Sequence, residues 1–208
     1  MQLLSNSFND GDLIPVEFAF GKPGDPVALS DNRNPHLAWS DVPAGTQSLV
    51  LMCVDPDVPS QPDDVNQVGR LVPADLARVE FVHWLMTDIP PDCHVIEAGA
   101  CSNGIVARGK RQPAGPRGAH QGINDYTSWF AGDSDMAGDY YGYDGPCPPW
   151  NDSIIHHYHF SMVALDCASL RLDGRFTVAD TRKAMQGHAL GQAELVGLYS
   201  LNPRAKAV

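Results

Sequence analysis

The sequence predicts a turn-rich, mainly β protein folded as a single domain over residues 1–208. Three observations carry that expectation. Glycine (19 residues) and proline (17) make up about 17% of the chain, against roughly 12% in average usage; with no low-complexity period, the excess reads as turns. The apolar runs at 48–54, 81–87 and 154–160 are of strand length and bounded by turn residues. The one strong helix signal lies late, at Thr177-Val178-Ala179-Asp180, where the Thr hydroxyl faces the Asp position's N–H as in a capping box.

Taken in order, Asn9-Asp10-Gly11 is a turn before an edge-type strand that reaches Pro15 and that Val16–Phe20 continues. Residues 32–39 form a short segment before the Pro43-Ala44-Gly45 turn. Ser48–Val54 is continuously apolar, as a strand buried on both faces is, and ends at a turn, Asp55-Pro56-Asp57-Val58-Pro59. Residues 60–80 read as a polar excursion with a helical turn near Pro73–Leu76, followed by the strand Phe81–Thr87. From 99 to 142 glycines, prolines and aromatics alternate without period, which suits a functional or self-packed loop. Gly145-Pro146-Cys147-Pro148-Pro149 is a stiff bend, because each proline fixes φ. It leads into Ile154–Phe160, a strand that places His156, Tyr158 and Phe160 on one face and His157 and His159 on the other. A helix from Val178 to about Leu190 and a strand over 194–199 close the chain.

Charge narrows the function. A formal net charge of −11 with no basic cluster disfavours nucleic acid and anionic membrane as partners. No apolar run approaches the roughly 18 residues of a membrane span. The N-terminus shows no secretory pattern, and five irregularly spaced cysteines read as reduced thiols in the cytoplasm.

The candidate chemistry lies in three segments. Asp55 and Asp57, pinned by Pro56 and Pro59, could hold a metal, orient a histidine or satisfy local N–H groups. His83 beside Trp84, and His156 with Tyr158, each read singly as core residues. Two such strands plus an acidic turn read as a polar pocket in an apolar wall. Two histidines oriented by Asp55, the Tyr158 hydroxyl and N–H groups of the Gly145 loop suit a small anion such as phosphate. A competing arrangement places zinc on His157-x-His159 with Asp55 and Asp57, giving a metal-dependent hydrolase. Those two histidines face away from His156 and Tyr158, so anion binding without metal or cofactor leads, with a phosphatase or esterase as the alternative. Cys147 reads as a packed thiol, and no G-x-S-x-G elbow is present.

Asp55-Pro56-Asp57-Val58-Pro59, His83-Trp84, and Gly145-Pro146-Cys147-Pro148-Pro149 with His156-x-Tyr158-x-Phe160, in this order, resemble the phosphatidylethanolamine-binding protein family. The nearest branch is the bacterial and archaeal YbhB/YbcL-like, or Raf kinase inhibitor-like, one. Phe8-x-x-Gly11-x-x-Ile14-Pro15 and Ala193–Tyr199 extend the match to nearly the whole chain. The resemblance implies a large antiparallel sheet packed on a smaller one with a few peripheral helices, and a cis peptide near the acidic motif. It implies a small-anion cavity formed by Asp55, Asp57, His83, Gly145, His156 and Tyr158 and shaped by Pro59 and Pro146. It implies binding, or inhibition of a kinase or protease partner, in place of turnover; a homodimer stays open. The chain departs from the pattern at His157, where Arg is common, and in long excursions at 60–80 and 121–143. Both excursions are expected to build over the pocket mouth, where Trp129, Phe130 or Trp150 narrows the opening to small anions and excludes intact phospholipid.

Overall fold

The computed structural model describes residues 1–206. Ten strands carry the fold: β1 (Gln2–Leu4), β2 (Gly21–Pro23), β3 (Val27–Leu29), β4 (Leu37–Ser40), β5 (Ser48–Pro59), β6 (Arg78–Ile89), β7 (Val95–Ile96), β8 (His120–Gln121), β9 (His156–Leu165) and β10 (Ala189–Tyr199). A five-stranded sheet runs in the order β10-β9-β5-β6-β8, a three-stranded one in the order β1-β4-β7, and β2 pairs with β3. Every pairing between these strands is antiparallel. Two short helices, α1 (Tyr126–Trp129) and α2 (Val178–Ala184), complete it. The large and small antiparallel sheets are those the resemblance implies.

The apolar run at 48–54 explains the layering. Leu49, Leu51 and Cys53 point to one face of β5, where they join Trp84, Tyr158, Phe160 and Met162 against Leu3, Leu37, Trp39 and Ile96 of the smaller sheet's strands. Val50, Met52 and Val54 point to the other face and pack with Leu85, Val163 and Phe176, with Val178 and Met185 alongside. A strand covered on both faces has no polar side, which is why its pattern is continuous and not alternating. Each fully buried aliphatic side chain here contributes roughly 1.5–3 kcal/mol.

Several features differ from expectation. Val16–Phe18 forms a 3₁₀ turn in place of a strand, following Pro15. The Asp55–Pro59 segment continues β5 and is not a separate turn. Pairing with β9 ends at Val54, and pairing with β6 bulges between Asp55 and Val58, so Pro56 sits where no ladder N–H is needed. Helix α2 has the expected capping box but ends at Ala184, because Gly187 turns the backbone at φ 82° and Ala189 is already paired with Leu165. Among the described residues the cis peptide is Asp25-Pro26, in the turn between β2 and β3 and not in the acidic motif.

Candidate functional site

A cavity of about 260 Å³ opens at the end of β5, β6 and β9. Asp55, His83 and Tyr158 line it from three different strands, with Pro59 at its side. Phe20, Phe81, Tyr126 and Phe130 form an apolar wall, and Cys147, Pro148 and Pro149 of the stiff loop close another side. Tyr126 stacks on Phe20 with centroids 4.6 Å apart and meets Phe81 edge-on at 5.2 Å, so the wall is a packed aromatic cluster.

His83 is held from behind. Its Nδ1 lies 2.8 Å from the Asp144 carbonyl, an acceptor only, so Nδ1 carries the proton and Nε2 is the nitrogen left for a ligand. Burial lowers the His83 pKa below its ordinary value, against the opposing pull of Asp55, so the ring is neutral near pH 7. The Asp144 anchor is fixed in turn: its carboxylate accepts from Asn32 at 2.8 Å, Asn124 at 2.9 Å and Lys110 at 2.6 Å. Tyr158 is fully buried; its hydroxyl lies beside the Asp55 carboxylate but makes no hydrogen bond of good geometry among the described residues. Burial, then the Asp55 charge, pushes its pKa well above 10, so it remains a protonated donor.

Asp55 is 1% exposed, and both of its oxygens are engaged. One accepts the Asp57 N–H at 2.8 Å and the other lies 2.8 Å from His156 Nδ1. His156 Nε2 lies 3.1 Å from Asp152, whose carboxylate also takes Arg78 through Nη1 at 2.6 Å and Nη2 at 3.1 Å. Burial works against a charged His156, yet its bonds to Asp152 and Asp55 outweigh it and raise its pKa to about 9. Asp152 is lowered despite burial by His156 and Arg78. The chain Asp55–His156–Asp152–Arg78 thus pairs two anions with two cations, and the Asp55 charge is compensated from behind the cavity wall.

Several expected site residues stand back from the cavity surface. His156 is wholly buried between Asp55 and Asp152 and orients Asp55. Asp57 turns outward, where its carboxylate accepts the His157 backbone N–H and lies 2.8 Å from His157 Nδ1. The Gly145 N–H donates to Asn32 Oδ1, and its carbonyl accepts from the Tyr126 hydroxyl. A Cβ at Gly145 would sit 2.1 Å from the Phe18 carbonyl oxygen, so this glycine answers a backbone crossing and not close ligand approach. The Pro146 carbonyl accepts from Phe20 and Gly21 and so ties the loop to the aromatic wall. His157 and His159 share the outer face as expected, each beside its own carboxylate: Asp57 for the first and Glu194, at 3.2 Å, for the second.

The two excursions do reach the mouth: Pro62, Val65 and Asn66 come from the first, and Tyr126, Trp129 and Phe130 from the second. Trp150 lies apart from the lining, packed against the main core.

The family model for phosphatidylethanolamine-binding protein matches residues 4–200. The chain belongs to the phosphatidylethanolamine-binding protein family. Among its relatives, a UPF0098 protein of Methanothermobacter thermautotrophicus is 32% identical over 199 residues, covering 96% of this chain and 98% of the relative. UPF0098 protein YbhB of Escherichia coli K12 is 31% identical over 200 residues, covering 96% of this chain and all of YbhB. The crystal structure of E. coli YbcL, described as a new member of the mammalian PEBP family, superposes with a TM-score of 0.68 at 26% identity, covering 96% of this chain and 97% of YbcL.

Within this family member the residues missed at the sequence level are Arg78, Asp144 and Asp152. Asp152 precedes His156 by four positions at the start of β9, a spacing that becomes meaningful only once the stiff loop is seen to fold that carboxylate back under the ring. Cys147 does line the cavity, and burial pushes its thiol up to about 11, so it is present as the neutral thiol.

Proposed function

We propose that this protein is a binding protein that takes a small anionic group, phosphate or the phosphoryl end of a monoester, into the cavity lined by Asp55, His83 and Tyr158. The single observation that carries the reading is the Tyr158 hydroxyl, without a well-formed hydrogen bond among the described residues, beside the His83 ring in a mostly apolar wall. A buried hydroxyl without a partner costs stability, about 1–3 kcal/mol, and a ligand acceptor removes that cost. With the Asp55 charge balanced from behind, an anion meets a donor from Tyr158 and, once His83 Nε2 takes up a proton, a second charged donor. The aromatic wall suits an organic remainder on the anion, and a 260 Å³ space admits a headgroup-sized molecule but not a diacyl lipid. A kinase- or protease-inhibiting role would need a protein contact beyond this cavity, and nothing in the cavity's make-up supports one.

Calorimetric titration with phenyl phosphate and with inorganic phosphate tests the proposal. Saturable binding that weakens about tenfold or more in His83→Ala supports it, since bonds to charged groups contribute about 1.5–3 kcal/mol. Unchanged affinity in that variant contradicts it. Turnover of aryl phosphates or esters that disappears in His83→Ala would establish the hydrolase alternative instead.

A further inference from the structure

We propose that Asp166, Cys167 and His188 form a second, separate site for one divalent cation of borderline softness, with zinc the best fit. Each residue offers one ligand atom, and the three atoms lie within 4.8 Å of one another. A carboxylate oxygen, a thiolate sulfur and an imidazole nitrogen together are the donor set zinc takes, whereas calcium and magnesium require oxygen throughout.

The backbone holds the three in place. Asp166 and Cys167 follow the last residue of β9, and His188 directly precedes β10. The Asp166 N–H donates to the His188 carbonyl at 3.0 Å, locking the two segments side by side. The Cys167 carbonyl accepts from the Ser48 hydroxyl at 2.6 Å, and the half-buried Cys167 side chain packs against the apolar layer that holds Val50, Met52 and Val54. His188 Nδ1 already lies 2.7 Å from Asp166 Oδ1. Ligand atoms around tetrahedral zinc stand about 3.3–3.8 Å apart, so that pair opens by roughly 1 Å or less as the cation replaces the proton between them. On binding, the Cys167 thiol proton leaves to solvent and the imidazole proton passes to Nε2. Three protein ligands leave a fourth position for water. The site lies at the far end of β9 from Tyr158, roughly 25 Å along the strand, so it works independently of the anion cavity.

The test is zinc titration of chelator-treated full-length protein against a chromophoric zinc indicator, with thiol labelling as a second readout. The expected result is one equivalent of zinc bound, protection of Cys167 from a thiol reagent, and no competition from calcium. Cys167→Ser and His188→Gln should each weaken zinc binding about tenfold or more, since losing even an outer partner of a metal site costs 10–100-fold. His188 is exposed and Cys167 half-buried, so folding of each variant is checked by an unchanged thermal transition in the absence of zinc. Absence of stoichiometric zinc binding overturns the proposal. So does binding that survives both substitutions and is lost in His157→Gln, which would place the cation on the outer face of β9.

Discussion

The rings of Tyr158 and His83 meet edge to face with centroids 5.1 Å apart, and the polar groups they bring to the cavity are the ones the rest of the protein leaves free. The two carboxyl-bearing residues beside them are spent on structure. Asp55 holds the Asp57 backbone and His156, and Asp144 holds His83 and Lys110. A ligand therefore meets two groups pre-set by a rigid second layer.

Tyr158→Phe separates binding from folding. The hydroxyl makes no hydrogen bond of good geometry among the described residues, so its removal should leave stability unchanged or raise it by up to about 1 kcal/mol, measured by urea unfolding. Affinity for phenyl phosphate should fall about tenfold in the same variant. A hydroxyl serving only structure would give the opposite pair of results.

Anion affinity should fall as pH rises. Free His83 is neutral because burial lowers its pKa below 6.5, and a bound anion raises that pKa by favouring the imidazolium. Below the free-protein pKa the ring is charged in both states and His83 adds no pH dependence. Above it, binding must bring in a proton, until the bound-state pKa is passed and the charged donor is lost. Calorimetry in buffers of different ionisation enthalpy, between about pH 5 and pH 8, should show proton uptake on binding.

His156→Ala removes the centre of the buried ion chain and leaves the Asp55 and Asp152 carboxylates facing a void. The expected loss is about 3–5 kcal/mol, read as a lower urea midpoint. Linkage gives the sign of the pH effect in the wild type. The folded pKa of about 9 lies above the unfolded value of 6.5, so the His156 contribution is complete below about 6.5 and fades as pH rises through about 9. His156→Ala should lack that alkaline loss.

The mouth should select by size. Trp129 is 53% exposed at the rim and Phe130 lies inside it, at the C-terminal end of α1 within the second excursion. Wild-type protein should bind phenyl phosphate and leave phosphatidylethanolamine vesicles untouched in a sedimentation assay. Phe130→Ala should weaken the aryl ligand several-fold through lost apolar contact, and should widen the range of monoesters that bind.

The sheet and half of the site were legible because they obey short periods. Alternation along 156–160 placed His156, Tyr158 and Phe160 inside and His157 and His159 outside, as the burial pattern shows. The capping box at Thr177 is a local pattern and formed as written. The helix end was not legible, since Met185 and Leu190 keep helical spacing while the sheet takes Ala189 as a partner for Leu165. Nor was the role of Gly145, because the Phe18 carbonyl that crosses it lies more than a hundred residues earlier in the chain. A separation of 74 residues likewise hides Arg78 from Asp152: an arginine in a polar excursion shows nothing until the loop before β9 folds onto it.

The central claim is that an anion occupies the cavity and is held through His83. The most direct measurement is the nitrogen NMR spectrum of the His83 ring at about pH 7, without ligand and with saturating phenyl phosphate. The account predicts a neutral ring protonated at Nδ1 in the free protein and an imidazolium, protonated at both nitrogens, in the complex. A His83 signal that stays neutral and unshifted while the ligand binds would contradict it.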